Sequence, residues 1–182
     1  MVWEGRTSDR PPYPDSRDPE QPRSTLRLIP YDEHMQTLVT KFESIIDLAE
    51  PVLGRISEPE STVPLQAGGW SRKEVLGHLI DSASNNHQRF VRAALQDSLE
   101  FPGYEQNGFV RVQAPGEADW RVLVSLWAAY NRYLAHVIAR LPESKFNTPC
   151  QIGSNEPVTL AFLANDYVRH LVHHLEQIGV RV

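Results

Sequence analysis

Apolar residues recur at spacings of three and four over four long stretches of the chain, the period of an amphipathic helix. In the first stretch, Leu38, Phe42, Ile45, Ile46, Ala49, Val52, Leu53 and Ile56 mark one face of a helix running from about Tyr31 to Ile56. Pro51 lies inside it, so a kink or break is expected near Ala49. A second helix opens at Ser71. Glu74 stands three residues on, the pair that makes a capping box, and Trp70 and Val75 can close a hydrophobic staple over it. This helix runs to about Gln96, with Val75, Leu76, Leu79, Ala83, Phe90, Val91, Ala94 and Leu95 facing inward. The third spans about Asp119 to Leu141 on a stripe of Leu123, Leu126, Trp127, Tyr130, Leu134, Val137 and Leu141, and Pro142 stops it. Thr159 caps the fourth, which ends near Ile178 with Gly179 as its C′ residue.

No alternating run is long enough to mark a strand. Four amphipathic helices without a strand signal predict an all-α fold, a four-helix bundle. The connections at 57–70 and 98–117 are long enough for crossovers, so simple up-down order does not follow. Residues 98–117 hold Pro102, Gly103, Gly108, Pro115 and Gly116, the make-up of a lid or binding loop. Residues 1–29 differ from the rest. Pro11, Pro12, Pro14, Pro19 and Pro22 alternate there with charged residues, leaving too little apolar surface to offset the entropy of ordering. They predict a disordered or loosely attached arm, and residues 30–182 a single bundle domain. The acidic residues Glu4, Asp9, Asp15, Asp18 and Glu20 argue against a transit peptide, and no apolar stretch follows to make a secretory signal.

Composition narrows the function classes. The chain has 182 residues, a formal net charge of -5 and one cysteine, Cys150. One cysteine excludes an internal disulfide framework and any Cys-x-x-Cys metal knuckle, and fits a reducing, cytoplasmic compartment. No apolar run approaches about 18 residues, so no transmembrane helix is expected. Mild acidity carries no electrostatic footprint for nucleic acid. The expected partner is a small-molecule substrate, with neither nucleic acid nor membrane.

The chemistry concentrates on the fourth helix. Its inward stripe reads Leu160, Leu163, Tyr167, His170, His174 and Ile178, which puts two histidines on a line that should be apolar. Four residues on a helix amount to about 40° of rotation and about 6 Å of rise. Two imidazoles so placed can close on one cation. They can also simply hydrogen-bond neighbours in a core, and the spacing alone does not decide. A third donor must come from elsewhere, and His78, two turns into the capped second helix, is the candidate. Asp81 is one turn further on, where it could orient an imidazole or a bound water. His173 falls with Asp166, Arg169 and Gln177 on a polar face, His87 is read as packed or at a subunit contact, and His136 and His34 as surface residues. The Cys150 loop could reach in as a fourth ligand. Tyr167 and Asn131 are candidates for lining a pocket, with bundle packing as their plainer role.

The segment Gly69-Trp70-Ser71-Arg72-Lys73-Glu74-Val75-Leu76-Gly77-His78-Leu79-Ile80-Asp81-Ser82, with His170-Leu171-Val172-His173-His174-Leu175-Glu176-Gln177-Ile178 far downstream, resembles the DinB superfamily, its YfiT-like branch in particular. The likeness covers roughly residues 33–180. It implies a four-helix bundle with an unusual connection order, commonly a homodimer. It also implies a divalent metal, zinc or nickel before iron or manganese, held by His78, His170 and His174. Members of the superfamily include thiol-dependent S-transferases, which use a low-molecular-weight thiol such as bacillithiol or mycothiol as co-substrate, and proteins classed as metal-dependent hydrolases. A metal-dependent transferase or hydrolase is therefore the expected function. The alternative is a non-catalytic metal-binding bundle that takes a small ligand or a protein partner. The middle loop Phe101–Asn107 and the arm at 1–29 depart from the family pattern.

Overall fold

The computed structural model describes residues 31–182, with side chains from residue 35 onward. The expected arm at 1–29 and the side chain of His34 lie outside the described residues. Four long helices carry the fold: α1 (Tyr31–Leu53), α3 (Arg72–Leu95), α5 (Trp120–Ile138) and α6 (Leu160–Gln177). Between them come a short α2 (Glu58–Thr62), β1 (Leu99–Phe101), α4 (Gln106–Gln113), β2 (Pro149–Ile152) and β3 (Val158–Thr159). α3 packs on α5 and α6, and α1 packs on the same two. The long helices therefore follow one another around the bundle as α1, α5, α3, α6, and α1 and α3 lie diagonally across it. That order cannot arise from hairpins alone. It needs the α1–α3 and α5–α6 connections to cross the bundle diagonally, whereas the connection at 98–117, also long enough for a crossover, joins neighbours.

The caps form where the side chains predict them. The Ser71 backbone N–H donates to Glu74 Oε2 at 2.8 Å, while the Glu74 N–H donates to Ser71 Oγ at 3.3 Å. Asp119 and Thr159 accept the backbone N–H groups of Val122 and Phe162 at 3.1 Å each. Gly179 follows α6 at φ +91, the left-handed conformation that closes a helix at little cost for glycine. The core runs through all four long helices and includes Phe42, Ile46, Leu76, Leu79, Trp127, Leu134, Leu163 and Leu171.

Several details differ from the sequence expectations. The chain continues as helix through Pro51 to Leu53. So near the C-terminus, proline removes one late hydrogen bond and ends the helix within a turn, with no break at Ala49. The connections carry a three-stranded sheet of order β1-β2-β3. β1 runs parallel to β2 with Leu99 opposite Cys150, and β2 runs antiparallel to β3. Strands of two to four residues are too short to show a two-residue period, so the pattern had nothing to reveal. Leu95 and Leu126 face outward, at 78% and 49% exposure, where the helical stripes placed them inside.

The connection between α1 and α3 is fastened to the rest. Lys73 is buried at the start of α3; its ammonium pairs with Glu58 of α2 and donates to the Ala118 carbonyl at 2.6 Å. Glu58 in turn accepts the Trp120 N–H at 2.9 Å. The Lys73 and Trp120 hydrogen bonds hold the Glu58 carboxyl below the usual carboxylate range.

Candidate metal centre

The caps that start α3 and α6 set the register of the site. From Ser71, His78 falls on the α3 face that meets α6, and Trp70 leans over its ring with centroids 5.3 Å apart. From Thr159, His170 and His174 fall one turn apart on the α6 face that meets α3. The three rings converge, with centroid separations of 5.2, 4.9 and 4.5 Å. One nitrogen from each lies within 4.8 Å of the others. His78 is fully buried and His170 and His174 are 8% exposed, so the cluster sits just under the surface.

Electrostatics keep all three rings neutral. Burial is the first cause, pushing His78 down to about 3 and His174 to about 4, and holding His170 well below the ordinary histidine range; the neighbouring imidazoles add to it. Neutral imidazoles are the ligating form. Gln177 Oε1 lies 2.8 Å from His174 Nδ1, which fixes the proton there and leaves Nε2 with its lone pair. His78 Nε2 and His170 Nε2 are 3.3 Å apart. Two nitrogen ligands at about 2.0–2.1 Å from a tetrahedral ion would be about 3.3 Å apart as well. His78 Nδ1, His170 Nδ1 and His174 Nε2 are buried with no hydrogen-bond partner in the protein. Orphaned buried polar atoms are costly, His174 Nε2 among them carries a free lone pair, and a cluster of three imidazoles, borderline donors, suits a borderline cation. The residues present fit a divalent metal.

The other sequence candidates are placed as follows. Asp81 is buried, and its carboxylate accepts from Gln113 Nε2 at 2.7 Å; its resolved partner is on α4, not an imidazole. Burial lifts its carboxyl above the usual range, with Gln113 opposing. Tyr167 donates its hydroxyl to Asn131 Oδ1 deep in the bundle, and Asn131 Nδ2 donates to the Trp127 carbonyl at 2.8 Å, so both serve helix packing. Cys150 lies in β2 with its thiol donating to the Thr148 carbonyl at 3.3 Å, outside the three-histidine group; burial pushes the thiol up to about 11. His173 and His136 are exposed, and His87 Nδ1 lies 3.2 Å from the Tyr130 hydroxyl. Asp166 departs from its reading as surface: it is 6% exposed and pairs with Arg169.

Three residues are not read from the sequence as part of the site: Trp70, read only as a staple, stands beside His78; Gln177, read on the polar face of His173, stands behind His174; and Gln113 holds Asp81. Gln177 stands three residues from His174, a helical neighbour that could have been found by spacing. Gln113 comes from another element, and no local pattern points to it.

A helical bundle in which two adjacent helices, α3 and α6, bring three buried imidazoles to one point defines a candidate metalloprotein of histidine-only ligation. The chain belongs to the DinB superfamily, whose family model matches residues 41–178. Among curated relatives, it is 24% identical over 149 residues to a protein of Bacillus pumilus (strain SAFR-032) named "Putative metal-dependent hydrolase", covering 80% of this chain and 83% of the relative. It is 21% identical over 159 residues to YfiT of Bacillus subtilis (strain 168), covering 87% of each. The solved structure of Bacillus subtilis YfiT, described as an unusual four-helix bundle topology, superposes with a TM-score of 0.72 at 20% identity over 87% of this chain and 89% of that one. The mycothiol-dependent maleylpyruvate isomerase superposes with a TM-score of 0.65 at 14% identity over 82% of this chain and 61% of the isomerase. Both likenesses show the fold.

Proposed function

We propose that the protein is a metal-dependent enzyme that binds one divalent ion through His78, His170 and His174 and acts on a small molecule. The observation that carries this reading is the set of three neutral, buried imidazoles that bring one nitrogen each to within 4.8 Å of the others. A mutual hydrogen bond between His78 and His170 would engage two of the three rings and leave His174 Nε2 unmatched. A cation satisfies the converging lone pairs together. With three protein ligands the coordination shell keeps an open position, the composition of a catalytic rather than a closed structural site. Such an ion supplies Lewis-acid polarisation and makes a water or a thiol more acidic near neutral pH. The chain's own residues fix the donors: Gln177 sets the tautomer of His174, and Trp70 shields the ring of His78 from solvent.

Hydrolysis is the reaction class that the names of the curated relatives favour. The fold shared with the mycothiol-dependent isomerase supports a second reading, a low-molecular-weight thiol as co-substrate for an S-transfer. The two separate in one screen. Metal-loaded and chelator-treated protein are assayed with ester and amide substrates, and with electrophilic acceptors plus or minus a low-molecular-weight thiol. Turnover that needs metal but no thiol marks a hydrolase, and turnover that needs both marks a transferase. A loaded protein that gains melting temperature yet turns over nothing in either arm contradicts the enzyme reading and leaves a binding bundle.

A further inference from the structure

The segment after α4 lies directly on α3 beside the histidines. Gln113, the last residue of α4, donates to Asp81 at 2.7 Å. Ala114 follows in the left-handed region at φ 46, uncommon for a residue with a Cβ, and turns the chain sharply. Pro115 then fits against Gly77 so closely that a Cβ there would meet the proline ring at 2.5 Å. The Lys73 ammonium takes the Ala118 carbonyl at 2.6 Å. Lys73, Gly77 and Asp81 stand four residues apart, so one line along α3 is covered by residues 113–118. His78 lies on the neighbouring line. By helix geometry Asp81 is about 60° around the axis and about 4.5 Å along it from His78, on the side between the imidazole and the covering segment. Asp81 is 7% exposed, so its carboxylate is held under the surface one turn from His78.

We propose that Asp81 is the proton acceptor of the site and that Gln113 is its positioning residue, so that the segment from α4 to Ala118 completes the active site. The proposal rests on the metal reading above. When a water or thiol ionises at the centre, its O–H or S–H bond breaks and the electron pair stays on the oxygen or sulfur. The proton forms the new O–H bond on Asp81, which later returns it to the departing group. Gln113 donates to the carboxylate and turns one oxygen aside, which leaves the other for the proton. Ala114 and the Gly77–Pro115 contact hold Gln113 in reach. The Tyr104 hydroxyl, on the connection just before α4, is lifted by burial first and then by the Asp81 charge, which places it in the same surroundings; Arg89 acts on it in the opposite sense. Burial raises the Asp81 carboxyl above its ordinary value, the direction that suits a proton acceptor.

The test uses the full chain loaded with cobalt(II), with the metal-to-chain ratio measured for every variant and the visible spectrum followed from pH 5 to 9. A nearby carboxylate opposes the appearance of a second negative charge. Asp81→Asn is therefore expected to bind cobalt at the wild-type ratio while the spectral midpoint falls by about one pH unit. Gln113→Leu is expected to bind cobalt equally and to move the midpoint part of the way in the same direction. Gln113→Glu, which sets a second acid against Asp81, is expected to move it upward. An unchanged midpoint in Asp81→Asn overturns the proposal, as does loss of cobalt in that variant, which would make Asp81 a ligand. An unchanged midpoint in Gln113→Leu overturns the positioning role. If the wild-type chain takes up no cobalt, the metal reading itself fails, and that result is distinct from all of these.

Discussion

Three neutral imidazoles packed together make the metal-free fold sensitive to acid. Each has a folded-state value below the ordinary one near 6.5, so below that pH the unfolded chain binds protons that the folded chain refuses. Stability is then fully present above about pH 6.5 and declines as pH falls toward the folded values, about 4 for His174 and about 3 for His78. Chelated protein unfolded in urea at a series of pH values should lose on the order of 1 kcal/mol per pH unit for each histidine titrating in that window. His78→Gln should flatten the slope, and an unchanged slope would mean that the ring is not held neutral. Gly77 offers a second residue-scale test. Alanine would gain about 1 kcal/mol in helix propensity, but its Cβ would press on a buried proline ring at 2.5 Å. Net destabilisation of about 1–2 kcal/mol is expected in urea titration. A stabilised Gly77→Ala would show that residues 114–118 yield easily.

At the scale of the element, α3 carries two faces. Leu76, Leu79, Ala83 and Phe90 enter the core, while His78, Asp81, Ser82, Asn86 and Arg89 are also buried on a neighbouring sector. That second buried face explains the outward turn of Val91 and Leu95, which hydrophobic spacing alone places inside. The cap was legible because its chemistry is local: Ser71 and Glu74 satisfy each other's backbone across one turn. Ser71→Ala should lower stability by about 1 kcal/mol in thermal or urea unfolding. A loss confined to a few tenths would mean that tertiary contacts, not the cap, fix the start of α3. The histidine pair on α6 was equally legible, since imidazoles on an apolar stripe break its pattern. The link between Gln113 and Asp81 was not, because it joins residues 32 apart through a short helix that no periodicity announces. The strands escaped notice for the same reason of length.

At the scale of the molecule, the diagonal placement of α1 and α3 sets α3 against α6 and so brings His78 to His170 and His174 across 92 residues of chain. The length of the connections permitted this order, and only packing selects it. None of the helices among the described residues is long and apolar enough to cross a membrane. The bundle has a continuous apolar core of its own, so chelation should leave far-ultraviolet circular dichroism at 25 °C intact. Zinc at a hundredfold excess over its dissociation constant should add about 2.7 kcal/mol by mass action, read as a rise in melting temperature. Unfolding on chelation would instead assign the ion a structural role. The most direct test of the three-histidine centre is elemental analysis of the untagged chain after reconstitution with one divalent metal. The wild type and His173→Ala should each hold about one ion per chain, and His78→Ala and His170→Ala should fall at least about tenfold. Equal metal content in all four proteins would contradict a centre built by these imidazoles.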